Sequence, residues 1–582
     1  MSRATARGTR RRAWAVVATS GVLAASVATA APATANDFDR PEKGFMPAST
    51  VLRDRAPQQV GLDPAPIAEA ERLIASHEEA PAPDGHPMYA GAVGVLGHDG
   101  AVVARHASGW ASRWKDATTE LPRDQWEPMR RDTVFDLASV SKLFTSLVTV
   151  QLIEQGKVSL DAPVATYLPE FAANGKESVT VRQLLTHTSG FTSWLPLWSK
   201  YPDEASRIKA VMDQPPTNAP GSTYLYSDLN LITLGVMAER LTGEPLDRLV
   251  HERITAPLGM RDTGYNPTDP SRTAATEYQT APPRGMVRGE VHDENAWSLG
   301  GVAGHAGVFS TADDLAVLAQ TLLNGGTYRG HRILDRKSVE LLVTDFNGAF
   351  PGDAHGLGFE LDQRWYMDGL SGPRTAGHTG YTGTSIVIDF DSRSFAILLT
   401  NRVHPSRSWG SNNPARQEWA RGLAQAMPVE PRHGRTAWSA GGTNATTATL
   451  TAPVEVPAGG ARLGFDLFVD TEETDVLTLE TSADGGTTWA PLPFTLRERG
   501  PARTTDGTVS GYHERRWMQA RAELAPGAGL VRWRMTTDAV YLGRGVLVDG
   551  VRATAGHRVL LDGERRPSAF DPRGWSVVHR GS

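Results

Sequence analysis

The feature that most constrains this chain is a change of texture near residue 430. Before it, stretches with helical spacing lie between short β-prone runs. After it, short strand-like runs remain, separated by Gly, Asp and Pro turns. The chain has 582 residues, more than one hydrophobic core organises, so at least two domains are expected. The seam, Pro428–Gly442, carries the Pro, Gly, Ser and Thr of a linker.

Within the first part, residues 36–85 are rich in Pro, Ala and Asp and read as a surface lead-in with one helical stretch, Ile67–Ala75. Ala90–Leu96 and Ala101–Ala107 are strands joined at His98-Asp99-Gly100, a hairpin signal. Phe135 to Gln155 has helical spacing through Val140, Leu143, Phe144, Leu147 and Val148, with Gly156 as its stop. Val181–Thr186 and Leu231–Leu241 are further helical stretches. Ser385–Phe390 and Phe395–Thr400 form a hairpin across Asp391-Ser392-Arg393. In the second part, Leu463–Val469, Val476–Thr481, Leu530–Thr536 and Val546–Ala553 predict an all-β sandwich.

Residues 1–35 have the order of an export signal. A basic stretch with Arg7, Arg10, Arg11 and Arg12 precedes a small apolar run, Ala13 to Ala30, and Ala33-Thr34-Ala35 is an A-x-A cleavage site. Removing those residues takes away five Arg and no acid. It leaves 54 Lys+Arg against 65 Asp+Glu, a net of −11. Such a balance argues against a nucleic-acid partner. No later stretch is apolar and long enough for a membrane span. The chain has no cysteine, which excludes disulfides, thiolate catalysis, Cys-based metal sites and a Cys-borne lipid anchor. The expected location is secreted, with wall association through the second domain as the alternative.

Ser139-Val140-Ser141-Lys142 is an S-x-x-K at the start of the strongest helical stretch. Residues three apart share a helix face, so the hydroxyl and the amine can meet. A serine needs a base to become nucleophilic, and a lysine serves only if desolvation or positive potential lowers its pKa. Tyr226-Ser227-Asp228 and His378-Thr379-Gly380 follow downstream, the latter just before the Ser385–Phe390 strand.

These three motifs resemble those of class C β-lactamases and their esterase, D-aminopeptidase and DD-carboxypeptidase relatives. Phe135–Lys142 is similar to the first motif, Tyr226-Ser227-Asp228 to Y-x-N, and His378-Thr379-Gly380 to K-T-G or H-x-G. Leu185–Gly190, Pro257–Met260 and Gly304-His305-Ala306-Gly307 also look like family signatures, so the likeness spans about residues 45–428. It implies an α/β (α+β) β-lactamase/transpeptidase-like domain at 36–428. That fold has an antiparallel sheet flanked by helices and an all-α subdomain; a separate β-sandwich follows at 435–582.

The resemblance also implies a mechanism. Ser139 attacks a carbonyl, and Lys142, as its base, shares the proton with Tyr226, which acts as base or as relay. Backbone N–H groups of Ser139 and Tyr381 form the oxyanion hole, and water releases the acyl group without metal or cofactor. Two departures bear on substrate. His378 stands where penicillin-recognising members carry Lys, and Asp228 replaces Asn. Together they make the pocket up to about two charges more negative. This favours an esterase or aminopeptidase-like hydrolase of a small ester or amide. The alternatives are a DD-carboxypeptidase or β-lactamase acting on peptidoglycan peptides or β-lactams, and a silent wall-binding protein.

Other residues have plainer readings. His187 reads as a turn residue, and His292-Asp293-Glu294 as a loop held by side-chain hydrogen bonds. His305 is placed on the pocket wall, and Trp194 and Trp198 on an aromatic rim or in packing. Ser482–Trp489 and Val548–Arg552 resemble β-sandwich modules of secreted peptidases and glycan-acting enzymes. That module is expected to be a spacer, or to bind wall polysaccharide through exposed Trp or Tyr.

Overall fold

The computed structural model describes residues 38–79, 85–497 and 499–580. The export signal and its cleavage site therefore lie outside the described residues.

The first part is built on a mainly antiparallel sheet of eight strands. Its principal strands are β1 (Arg53–Asp54), β2 (Gly91–His98), β3 (Ala101–Ser112), β4 (Glu360–Leu361), β5 (Thr375–Thr379), β6 (Thr384–Asp389) and β7 (Ser394–Thr400). The spatial order is β1-β3-β2-β7-β6-β5-β4, with only the β1–β3 pair parallel. The β2–β3 turn has Asp99 at φ 45° and Gly100 at φ 80°, the left-handed pair a tight hairpin needs. Every residue of β6 and β7 is buried. Both faces of these central strands are covered, so they read as continuous apolar runs.

Helices supply the cover. On one face, Phe395, Ile397 and Leu399 of β7 join a core with α4 (Ala312–Leu323) and α2 (Ser141–Glu154). On the other, Ala396 and Leu398 pack with Ile67 and Ile74 of α1 (Pro64–Ser76) and Trp419 of α5 (Asn413–Ala426). Gly94 is needed here: a Cβ would lie 2.5 Å from the Trp419 ring. α3 (Asp228–Thr242) packs beside α2. The expected surface lead-in is in fact structural. It contributes an edge strand and a helix to this cover, and Phe38 is buried.

One helix boundary differs from expectation. Phe135–Asp136 is a short strand paired with Phe309–Ser310, and Ala138–Val140 is a 3-10 turn, so α2 begins only at Ser141. Its residues 141–152 are all buried, the polar Ser141, Lys142, Thr145, Ser146, Thr149 and Gln151 among them, so the helix is enclosed on every side rather than solvated along one face.

The second part is a sandwich of two antiparallel sheets, one of eight strands and one of six. Met518–Leu524 and Leu530–Thr536 alternate buried and exposed residues with period two. Leu463, Phe465 and Leu467 from one sheet meet Leu450, Leu479 and Trp533 from the other.

The two parts touch extensively. Phe468 and Leu547 of the sandwich join Leu423, Ala424 and Met427 in one core. Arg515, 1% exposed, reaches into the first part. Its Nη1 lies 2.6 Å from Asp389 Oδ2, and its Nη2 donates to the carbonyls of Leu370 (2.7 Å) and Ser371 (3.0 Å).

Candidate active site

The 3-10 turn carrying Ser139 is clamped from two sides. Thr382 Oγ1 donates to the Asp136 carbonyl at 2.7 Å, and Thr384 Oγ1 to the Leu137 carbonyl at 2.9 Å. From the other side, Leu137 N–H donates to the Val308 carbonyl at 3.0 Å. Ala138 sits at φ 46°, a costly conformation for a residue with a Cβ. Asp136 holds it there, accepting from Ala138 N–H at 2.8 Å and from His292 N–H at 2.6 Å. Gly380 completes the seam: a Cβ there would lie 2.1 Å from Thr384 Oγ1 and 2.3 Å from the Leu137 carbonyl. The turn Gly380–Gly383 thereby sits against the nucleophile turn. Ser139 N–H belongs to the first turn of its helix, where no intrahelical acceptor is available.

Ser139, Lys142 and Tyr226 converge. Lys142 Nζ donates to Ser139 Oγ at 2.8 Å and to the His305 carbonyl at 3.1 Å. Tyr226 lies beside both, with Lys142 Nζ 4.9 Å from its ring centre and its hydroxyl interacting electrostatically with the amine and the Ser139 hydroxyl. Tyr226 precedes α3 by two residues, and its ring lies 4.6 Å from that of His187. His187, at φ 56° in its turn, accepts from Ser227 N–H and Asn230 Nδ2, each at 3.1 Å. It is a turn residue, as expected, and also the floor under the phenol.

The charge state of Lys142 departs from expectation. Its amine is 1% exposed, and burial alone would lower its pKa. Asp228 Oδ1 at 2.8 Å and the Tyr226 oxygen outweigh that and hold it above its ordinary value. Lys142 is therefore an ammonium at rest, not a free base. Burial pushes Tyr226 up to about 12, with Lys142 pulling the other way. Asp228 sits beneath the nucleophile against Lys142, and is not among the residues lining the cleft.

A cleft of about 390 Å³ opens over Ser139. His378, Thr379, Gly380 and Tyr381 line one side, as expected. His378 donates its Nδ1–H to the Thr379 carbonyl (2.7 Å), and burial followed by Lys142 pulls its pKa down to about 3, so its ring is neutral. Tyr381 is 50% exposed, with the Arg402 guanidinium 4.5 Å from its ring centre. Sequence reasoning missed Tyr224, Glu360, Trp365, Arg402 and Arg416, which line the rest together with Ser411, Asn412 and Asn413. Arg416 Nη2 donates to the carbonyls of Gly380 (2.8 Å) and Thr384 (3.0 Å). Only Tyr224, two residues before Tyr226 in an extended stretch, had a local signal.

Other expectations shift. The His305 side chain does not line the cleft: it is buried, with Nε2 2.9 Å from Asp293 Oδ1, and only its carbonyl serves the site. His292-Asp293-Glu294 is a loop held by side chains, through Glu277, the Ala296 N–H and Arg407. Trp194 and Trp198 are not among the cleft's lining residues. Asp228, Asp293 and His305 could together ligate a metal ion, but the first holds Lys142 and the other two hold each other. Glu472, Asp475 and Asp538 form a second such group in the sandwich. Among the described residues, the Trp and Tyr side chains of the sandwich are buried or half-buried.

A family model described as Beta-lactamase matches residues 82–421. The chain is 31% identical over 402 residues to an Escherichia coli (strain K12) protein named "Putative D-alanyl-D-alanine carboxypeptidase", covering 62% of this chain and 88% of that one. A Salmonella typhi protein of the same name is 32% identical over 395 residues, covering 61% and 87%. Among solved structures, EstCE1, titled a hydrolase with promiscuous acyltransferase activity, superposes with a TM-score of 0.49 at 23% identity, over 62% of this chain and 99% of that one. A penicillin-binding protein homologue from Caulobacter crescentus gives 0.49 at 22% identity, over 62% and 98%.

Proposed function

Because this chain belongs to the β-lactamase family of serine hydrolases, we propose that it cleaves an ester or amide through an acyl-enzyme on Ser139. The observation that carries this is the convergence of Lys142 Nζ and the Tyr226 hydroxyl on Ser139 Oγ at the foot of an open cleft. The fold of the first part is β-lactamase/transpeptidase-like.

With Lys142 charged, the proton takes one route. Ser139 Oγ attacks the carbonyl carbon as its proton passes to the Tyr226 oxygen, and the Tyr226 hydroxyl proton passes to the leaving atom. The Lys142 ammonium steadies the negative charge that develops on the phenol oxygen. The N–H groups of Ser139 and Tyr381 receive the carbonyl oxygen. Water then retraces the path, giving one proton through Tyr226 to Ser139 as the acyl group leaves as acid.

The first choice of substrate is an uncharged ester or amide, since His378 is neutral where a carboxylate would need a cation. A second reading, a DD-carboxypeptidase of peptidoglycan peptides, is favoured by Arg402 and Arg416 in the cleft and by the name of the E. coli relative. The pairing of Asp228 with Lys142 also removes one charge from the argument against carboxylates. The discriminating test is a panel of nitrophenyl esters, D-aminoacyl anilides, β-lactams and a D-Ala-D-Ala peptide on wild type and Ser139→Ala. Ester turnover at least about a thousandfold lower in the variant is expected; a variant as active as wild type ends the proposal. We also propose export, with 36–428 as the hydrolase and 435–582 as its appended module. N-terminal sequencing of protein recovered from the medium should begin at Asn36.

A further inference from the structure

We propose that the seam between the two parts binds an anionic polymer. A cleft of about 520 Å³ runs there, at a place distinct from the Ser139 cleft. Arg40 comes from the lead-in, Arg432 from the linker, Arg497, Arg499 and Arg516 from the sandwich, and Arg580 from the C-terminal end. Against these six cations stand three acids, Asp39, Glu430 and Glu514. The whole chain carries a net −6, so a local excess of guanidinium groups runs against its composition. Some of this charge is offset. Arg432 lies 3.1 Å from Asp466, Arg580 lies 3.6 Å from Glu430, and Arg516 lies 3.8 Å from Glu514. Arg497 and Arg499 are exposed on one hairpin, with the half-buried Trp517 in the same wall.

The arginines come from four separate segments of the chain and line one cleft, which suits several anionic groups in a row better than a single small ion. Glu514 and Arg516 also line a second hollow of about 340 Å³, where Glu42, Glu340 and Asp391 outnumber Lys43 and Arg374, so the anionic groups are held in the first hollow. Arginine forks can grip two oxygens of a carboxylate or of a phosphate at once, and the half-buried Trp517 offers an apolar surface to a sugar ring. The ligand is thus a polymer bearing phosphate or carboxylate groups. It reaches the sandwich through arginines, not through the exposed aromatic residues that the sequence led one to expect.

The test uses the full chain, with inorganic polyphosphate, polygalacturonate and neutral dextran as probes at about 20 mM salt, where surface charge is least screened. Binding to polyphosphate or polygalacturonate is expected, but not to dextran, and the stronger of the two identifies the anionic group. Arg497→Ser with Arg499→Ser should weaken that binding at least tenfold while ester turnover stays unchanged. A charge-matched control, Arg462→Ser with Arg565→Ser, lies on other exposed positions and should bind as wild type. The proposal is overturned if neither polyanion binds, if the cleft variant binds as wild type, or if the control loses as much.

Discussion

At the scale of single residues, the site turns on one substitution in its second motif, the acid at 228. Asp228 faces Lys142 at 2.8 Å and keeps the amine charged despite complete burial. Asp228→Asn removes the attraction that outweighs burial, so the Lys142 pKa falls. An ammonium-dependent relay then loses activity at lower pH than wild type, and the base limb of kcat/KM moves toward neutrality. A limb that stays put, or a rate that rises near pH 7, would mean that the free amine is the working form. Tyr226→Phe removes the relay and should lower kcat by about 10²–10⁴ with KM little changed. His378 is held neutral to about pH 3, so its imidazole resonances should not titrate between pH 5 and 8; a midpoint near 6.5 would contradict its burial. Ser139 and Lys142 were legible in the sequence because residues three apart share a helix face, and Tyr226 because its motif resembles the family's Y-x-N. Arg402, Arg416, Glu360 and Trp365 were not. Each arrives on a different element, and no local pattern says that a distant fold will turn it into one cleft.

At the scale of elements, strands were read well and one helix start was not. The β2–β3 and β6–β7 hairpins carry turn chemistry between apolar runs, a signal local in sequence. The start of α2 is set by distant partners. Phe135 and Asp136 pair with Phe309–Ser310, and Ala138 takes a left-handed conformation that ends any helix before Ser139. Apolar spacing alone could not separate that strand from the helix it feeds. The same seam yields a prediction. Gly380→Ala forces a Cβ into the Leu137 carbonyl and Thr384 Oγ1, and overpacking of this kind costs about 1–3 kcal/mol. Activity should fall more than that stability loss explains, because the strand and the nucleophile turn part together. Thermal unfolding and ester turnover on one preparation compare the two; full activity in a destabilised variant would refute the clamp.

At the scale of the whole molecule, the change of texture near residue 430 predicted two parts but not how tightly they meet. Contacts between distant segments leave no periodic trace, and Arg515 reads as an ordinary surface arginine until the fold buries it against Asp389. Removing one partner of a buried ion pair leaves the other charge uncompensated, at a cost of about 3–5 kcal/mol. Arg515→Ala should therefore lower the melting temperature of both parts, and calorimetry should show one shared transition in the wild type. Two separated transitions, only one moved by the variant, would show that the halves are energetically independent.

The central claim is that Ser139 takes the acyl group. Intact-mass spectrometry of a reaction with a nitrophenyl ester, quenched by acid within the first turnover, measures this directly. The account predicts a mass increase equal to the acyl group, mapped to the peptide holding Ser139 and absent from Ser139→Ala. Acylation on another residue, or the same adduct in the variant, would contradict it.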